Sequence, residues 1–159
     1  MSDLLTVKDL TVRLKMSTGM REVITGTSLS IAQGEAMGLV GESGSGKSMT
    51  AKAIARLLPD GAETLGSVTF DGVDVLALTG DALREHRSQV AVVFQDPRAH
   101  INPVRRIDDF MTESLRTLRD VPKKEAALRA AAVLEEVGID DPAKRLRQYP
   151  HELSGGMLQ

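Results

Sequence analysis

The sequence lacks several residue types and patterns, and each absence excludes a class of protein. It contains no cysteine and no tryptophan, and its aromatic residues are three phenylalanines and one tyrosine. Without cysteine, disulfides and thiolate metal sites are excluded, and aliphatic residues and methionine must fill the core. No run approaches the 18–20 apolar residues of a membrane-spanning helix. The N-terminal MSDLLTVKDL carries an acid where a signal peptide carries bases, so we expect no signal peptide there.

The charge pattern also argues against some partners. The formal net charge is −2, and no long run of one sign occurs. We therefore expect no nucleic-acid partner. Apolar residues make up 42% of the 159 positions and charged residues 26%, which is the balance of a soluble globular domain. These features fit a cytoplasmic protein.

The first half of the sequence is dominated by strand and turn patterns. Residues 4–14 largely alternate apolar and polar side chains, as a half-buried strand does. The segment AMGLVG (36–41) is almost continuously apolar and predicts a strand buried on both faces. Further short strands are predicted at 28–32 and within 66–75, where Asp71-Gly72 forms the turn, and other turns at 17–22 and 33–35.

A single helix is predicted within this half, directly after a glycine-rich loop. It covers residues 47–58 and ends at Pro59-Asp60-Gly61. Its apolar face is predicted to consist of Ala51, Ile54, Leu57 and Leu58.

The second half changes from strand to helix. A short polar helix or turn is expected at 82–89, and VAVVFQ (90–95) predicts another buried strand, parallel to 36–41. After the proline-bounded loop 96–103, two helical stripes follow. The first comprises Ile107, Phe110, Met111, Leu115 and Leu118; the second comprises Ala127, Ala130, Ala131, Leu134 and Val137, with Pro122 near its start and Gly138 just past its end. The sequence therefore predicts an α/β core over 1–103 and a helical subdomain over 104–159.

The glycine-rich loop GESGSGKS (41–48) matches the phosphate-binding pattern G-x-x-x-x-G-K-[ST]. Glycines let the backbone adopt positive φ and approach phosphate oxygens. Successive N–H groups then form an anion nest at the positive end of the following helix. Lys47 would place a point charge at the β- and γ-phosphates, and the Ser48 hydroxyl could complete a magnesium shell. The candidate nucleotide-binding residues are Gly41, Glu42, Ser43, Gly44, Ser45, Gly46, Lys47, Ser48 and Met49. A flexible turn is the alternative reading.

Two later segments indicate which phosphate-loop family the chain resembles. VVFQDPRAHINPV (92–104) resembles the Q-loop of ATP-binding cassette (ABC) ATPases, and YPHELSGGMLQ (149–159) resembles their LSGGQ signature. Together with VGESGSGKS, these segments are similar to the ATPase subunits of dipeptide, oligopeptide and nickel importers. The resemblance implies an ABC-type P-loop NTPase core with an N-terminal antiparallel β subdomain and a C-terminal helical subdomain.

The resemblance also implies residue roles. Gln95 would contact magnesium and the attacking water and relay motion to a permease, although as a lone residue it would read as an ordinary polar strand end. Ser154, Gly155 and Gly156 would begin a helix that meets the γ-phosphate held by the opposite ATPase subunit, and the serine could equally be a simple N-cap. Met157 stands where many family members have glutamine.

The sequence departs from the family pattern at two places. Family members usually stack adenine on an aromatic some 25 residues before the phosphate loop, but no aromatic precedes Phe70. Thr18 or Met20 falls near that position, so we expect poor discrimination between ATP and GTP. The Walker B aspartate, catalytic glutamate and switch histidine follow the signature in the family, and this sequence ends first. We therefore expect an incomplete fold and no ATP turnover by these 159 residues alone.

The expected function is that of an importer subunit. The resemblance implies an ABC ATPase, as the full-length parent, that uses ATP and magnesium to drive uptake of peptides or a similar solute. Its partners would be transmembrane permease subunits, a second ATPase subunit and, indirectly, an extracellular solute-binding protein, with the ATPase at the cytoplasmic face of the membrane. The alternative is a non-catalytic nucleotide-binding or assembly fragment. The three histidines, His86, His100 and His151, show no metal-ligand spacing and are expected to be surface or capping residues.

Overall fold

A computed structural model describes residues 3–158, which divide into two compact units. The first extends through Val92 and the second begins at Val93, whereas the sequence predicts a boundary after residue 103. Each unit has its own apolar core.

The first unit is built on an antiparallel sheet. Its strands are β1 (Asp3–Met16), β2 (Gly19–Ala32), β3 (Glu63–Phe70) and β4 (Val73–Asp74), in the spatial order β2-β1-β3-β4. The predicted strand 4–14 and the predicted hairpin at Asp71-Gly72 are confirmed. Both turn residues have positive φ, 47° and 77°, as the tight turns that match strand twist require.

β2 is longer than the pattern predicts. It begins at Gly19 rather than at Ser28, and only residues 17 and 18 form the turn after β1. The prediction failed because Met20–Glu22 pair across to β1 on an exposed part of the hairpin, where burial imposes no alternation on the sequence.

The core of the first unit lies between one face of this sheet and the first of its two helices. The helices are α1 (Lys47–Ile54) and α2 (Gly80–Gln89), and the second confirms the predicted polar helix. The buried apolar cluster comprises Leu5, Val7, Leu10, Val12, Ile24, Ala53, Val68 and Val75. Aliphatic side chains fill it, as the shortage of aromatics requires.

Helix α1 differs from its prediction in length and in its buried face. It ends at Ile54, before the predicted end at 58, and Arg56 follows with φ 57°. Thr50 and Ala53 are its buried residues, while Ala51 is exposed and Leu57 is 41% exposed. Spacing alone places the four predicted residues on one side of a helix, but it does not decide which side packs on the sheet.

The strands predicted at 36–41 and 90–95 are wrong. Neither segment has regular secondary structure, and Val40 and Val93 are 92% and 84% exposed. A strand buried on both faces needs a hydrogen-bonded neighbour. Within residues 3–158 the sheet contains only β1 to β4, so nothing pairs with either segment.

The second unit is helical, as predicted for the end of the chain. Its helices are α3 (Ile107–Leu118), α4 (Lys123–Glu136), α5 (Pro142–Arg147) and α6 (Gly155–Leu158), with a 3₁₀ turn at Pro150–Glu152. Ile107, Ala130, Leu146 and Leu153 form its core. Of the predicted stripes, Phe110 and Val137 are exposed.

The predicted glycine at the end of α4 is confirmed. Gly138 has φ 77°, and its N–H donates to the Glu135 carbonyl at 3.0 Å. The N–H of Ile139 donates to the Leu134 carbonyl at 2.8 Å. These two bonds satisfy carbonyl groups at the end of α4. They require a left-handed residue at position 138, which glycine adopts without strain.

Candidate functional site

The glycine-rich loop of the first unit joins the irregular segment 36–42 to α1. Lys47 and Ser48 are the first two residues of α1, and Gly46 is its N-cap with φ 92°. The buried Thr50 anchors the junction, because its hydroxyl and its N–H both donate to the Gly46 carbonyl, at 3.1 and 2.8 Å. The structure thus brings the candidate residues Gly41 to Met49 together in one loop and helix start.

The loop rests against the edge of the sheet. A Cβ atom at Gly46 would lie 3.1 Å from the Val23 carbonyl oxygen and 3.3 Å from Ile24 Cγ1. Only a residue without a side chain lets the loop approach β2 this closely. This contact joins residues far apart in the chain, and no local sequence signal indicates it.

The Lys47 ammonium folds back over its own loop. Its Nζ donates to the carbonyls of Gly41 and Glu42, at 2.8 and 2.7 Å, and lies 3.5 Å from Ser45 Oγ. These neutral carbonyl oxygens hold the charge close to the loop backbone. A phosphate group entering the loop could therefore replace carbonyls as the acceptor for Lys47 without a large movement of the side chain.

The loop also presents unused backbone donors. Within residues 3–158, the N–H groups of Gly44, Gly46, Lys47 and Ser48 donate to no acceptor. They belong to consecutive or nearly consecutive residues at the N-terminus of α1, where the helix dipole favours an anion. An added Cβ at Gly44 would meet nothing within 4 Å, so the space beside the loop is open.

A magnesium ion would receive few protein ligands at this loop. Ser48 is exposed on the first turn of α1. In the described part of the chain, no group of three or more His, Cys, Asp or Glu side chains could hold a metal. One hydroxyl suits magnesium, which is commonly held by one or two protein oxygens together with nucleotide phosphates and water.

The other two predicted site segments lie in the second unit. Gln95 is exposed in an irregular segment, next to Phe94, whose ring stacks on His100 with centroids 3.8 Å apart. His100 Nδ1 lies 2.9 Å from the Asp96 carbonyl oxygen. The segment that follows the glutamine is therefore held as a compact turn by its own side chains.

The signature residues stand at the start of α6. The Met157 N–H donates to the Ser154 hydroxyl at 3.4 Å, which makes this serine the N-cap of the helix. Gly155 and Gly156 are exposed, and an added Cβ at either would meet nothing within 4 Å. Packing of the described residues does not require glycine at these positions, so the open backbone suits an outside contact.

Two arginines near the start of α3 have shifted pKa values. A hydrogen bond to Glu113, supported by the charge of that acid, raises the pKa of Arg105. A hydrogen bond with Tyr149 raises the pKa of Arg106. Both shifts favour the charged form that an arginine already has at neutral pH, so they add no titrating group to the site.

The three histidines take the surface or capping roles expected for them, although the capping residue His86 is buried. His86 is 5% exposed rather than on the surface, and its Nε2 lies 3.2 Å from the carbonyl of Ile54, the last residue of α1. It therefore caps that helix, with the Phe70 ring edge-on at 5.6 Å. His151 is exposed and stacks on Tyr149. The neighbouring residues of His86 are polar, which concealed its burial.

Comparison with known proteins defines the class of this fold and site. Residues 24–159 match the ABC transporter family, and the chain belongs to that family. Two solved ABC structures share its fold. MJ0796, a bacterial ABC transporter cassette with a dimeric structure, aligns with a TM-score of 0.77 at 24% identity, over 97% of this chain and 65% of that one. CbiO1 of Clostridium perfringens, part of the cbiONQ complex, aligns with a TM-score of 0.69 at 22% identity, over 99% and 58%. The predicted fold class is thereby confirmed.

Relatives with higher sequence identity show which branch of the ABC family the chain resembles. The oligopeptide transport ATP-binding protein OppD of Bacillus subtilis (strain 168) is 40% identical over 98% of this chain and 44% of its own length. OppD of Escherichia coli (strain K12) is 39% identical over 98% and 47%. The probable D,D-dipeptide transport protein DdpD of E. coli is 44% identical over 86% and 42%. The chain therefore spans about half the length of these relatives. The predicted similarity to the peptide-importer branch is confirmed.

Proposed function

We propose that the full-length protein is the ATP-binding subunit of an ABC importer and couples ATP binding and hydrolysis to uptake of peptides or a similar solute. The observation that carries the proposal is the geometry of the phosphate loop. In residues 3–158, four backbone N–H groups without acceptors and the Lys47 ammonium lie together in the loop and at the start of α1, and the space beside Gly44 is open. The names of the relatives, which are peptide transport ATP-binding proteins, support the solute class.

Within this function, the loop residues bind the phosphates and Lys47 neutralises their charge. Stabilising the charge on the transferred phosphoryl group is the larger part of catalysis in such sites, since little covalent chemistry falls to the protein. Ser48 and Gln95 would hold a magnesium ion, which would supply positive charge to neutralise the phosphates. Gln95 would in addition position the attacking water.

Ser154, Gly155 and Gly156 would act on the nucleotide of a second ATPase subunit. Their exposed backbone at a helix start, with no packing requirement for glycine, supports this role. The dimeric structure of MJ0796 supports pairing of two such subunits. Permease subunits would be the other direct partners, and an extracellular solute-binding protein an indirect one.

The location proposed for the subunit is the cytoplasmic face of the membrane, held there by the permease. In residues 3–158 no helix is long and apolar enough to cross a bilayer. The names of the relatives, which are subunits of transport systems, support attachment to a membrane partner.

Peptide uptake by cells tests the proposal. Cells lacking the full-length gene are expected to lose uptake of a labelled peptide, and a copy with Lys47→Ala should fail to restore it. Lys52→Ala provides a matched control, because Lys52 also lies on α1 but near its far end. Full restoration of uptake by the Lys47→Ala copy, at equal protein level, would refute the proposal.

A further inference from the structure

A pocket in the first unit lies at the opposite end of α1 from the phosphate loop. It has a volume of about 230 Å³ and is lined by the end of α1, the turn after it, β3 and α2. The polar and charged side chains that line it are Arg56, Asp60, Thr64 and Arg87. Since α1 has eight residues, about 12 Å of helix separates this pocket from the loop.

The two arginines are charged groups without acidic partners. Within residues 3–158, neither forms an ion pair. Each uses one terminal nitrogen: Arg56 donates to the Leu78 carbonyl at 3.0 Å, and Arg87 donates to the Arg56 carbonyl at 2.7 Å. These bonds cap carbonyl groups, and cations are favourable near a helix C-terminus.

Capping does not use the whole of either guanidinium group, which carries five N–H donors. The Nε of Arg56 is buried and has no hydrogen-bond partner in the described chain. A buried donor without an acceptor is unusual in folded proteins. Arg56 as a whole is only partly buried and lines the pocket, so an anion in the pocket would meet its terminal N–H donors and not this Nε.

We propose that this pocket is a binding site for a small oxyanion of the size of phosphate, held by the guanidinium groups of Arg56 and Arg87. The fork of N–H groups on an arginine matches the oxygens of phosphate or carboxylate. Thr64 also lines the pocket and carries a hydroxyl group, which can donate a hydrogen bond. Asp60 is the one acid among the lining residues. Its negative charge repels an anion and therefore lowers the affinity of the site.

The test is carried out in the Lys47→Ala protein, in which phosphate binding at the loop is expected to be lost. Any remaining phosphate binding can then be assigned to the pocket. Phosphate or sulfate, at constant ionic strength, is expected to raise the midpoint of thermal unfolding in a saturable way, because a ligand that binds only the folded state stabilises it. Arg87→Gln should weaken phosphate binding by about tenfold or more, the usual effect of losing a charged hydrogen bond.

The Asp60→Asn variant is expected to gain affinity for phosphate. A folding defect can lower the affinity but cannot raise it. Removing this charge should tighten phosphate binding several-fold, whereas Asp81→Asn should leave it unchanged. Asp81 is a matched control, since it is 97% exposed on α2 of the same unit. The proposal is overturned if phosphate has no saturable effect in the Lys47→Ala background. It is equally overturned if Arg87→Gln retains full affinity, or if Asp60→Asn binds no more tightly than Asp81→Asn.

Discussion

At the scale of single residues, two glycines of the phosphate loop show how similar backbone geometry can carry different constraints. Gly44 and Gly46 both have left-handed φ, 85° and 92°. A side chain at Gly44 would project into open space, whereas one at Gly46 would press on the Val23 carbonyl. Both positions require glycine for conformation, but only Gly46 also requires it for packing.

Alanine substitution should separate these two effects. Gly44→Ala is expected to lower the free energy of unfolding by about 1–2 kcal/mol, the cost of a left-handed residue. Gly46→Ala should cost clearly more, because the added methyl group also crowds β2. Urea denaturation of the two variants would measure the difference, and equal losses would show that the contact between loop and strand does not constrain Gly46.

The phosphate loop and the start of α1 could be predicted because the motif encodes this local geometry in consecutive residues. Glycine spacing and the following helix pattern identified Gly41–Met49 without any knowledge of tertiary contacts. The contact of Gly46 with Val23 and the burial of His86 could not be predicted. Both depend on residues distant in sequence that folding brings together, and neither leaves a periodic signal.

At the scale of elements, the β1–β3 pairing contains an irregularity with its own glycine. The register shifts between Lys8 and Thr11 on β1, where Asp9 has φ 49°. Opposite lies Gly66 with φ 87°, and an added Cβ there would collide with the backbone of Lys8 and Asp9. Such a bulge bends the strand and increases its local twist.

Gly66→Ala is therefore expected to destabilise the sheet strongly. The expected loss is about 3 kcal/mol or more, since left-handed strain adds to a clash with backbone atoms that cannot move aside. Gly72→Ala is the matched control: it has φ 77° but open space around it, and should lose only the strain. Denaturant titration would test this, and equal stability of the two variants would contradict the bulge geometry.

The unpaired segments 36–41 and 91–95 explain why part of the fold could not be predicted. Their apolar runs are typical of buried strands, yet no described residue pairs with them. An apolar run indicates burial but does not identify a pairing partner, so it predicts strands here that the described residues do not form.

Hydrogen exchange measures the state of these segments directly. None of the amides of residues 36–41 or 91–95 donates a backbone hydrogen bond within the described chain. We expect them to exchange at rates near those of an unstructured peptide, while amides in the middle of β1, paired on both sides, exchange slowly. Strong protection of residues 36–41 in this chain would contradict the observed lack of pairing.

At the scale of the whole molecule, the base of the nucleotide lacks an obvious holder. No aromatic residue precedes Phe70, and Thr18 lies in the turn before β2 while Met20 is 44% exposed on that strand. A methionine contact would not distinguish adenine from guanine. We therefore expect ATP and GTP to compete for the full-length protein with similar affinity. A large preference for ATP in competition binding would show that another group recognises adenine.

The central claim is that the loop at residues 41–49 binds the phosphates of ATP, and calorimetric titration of the full-length protein tests it most directly. Lys47→Ala should abolish measurable ATP binding, because it removes the cation that faces the phosphates, whereas Lys52→Ala should bind as the unchanged protein does. Unchanged affinity for ATP in a folded Lys47→Ala protein would contradict the account.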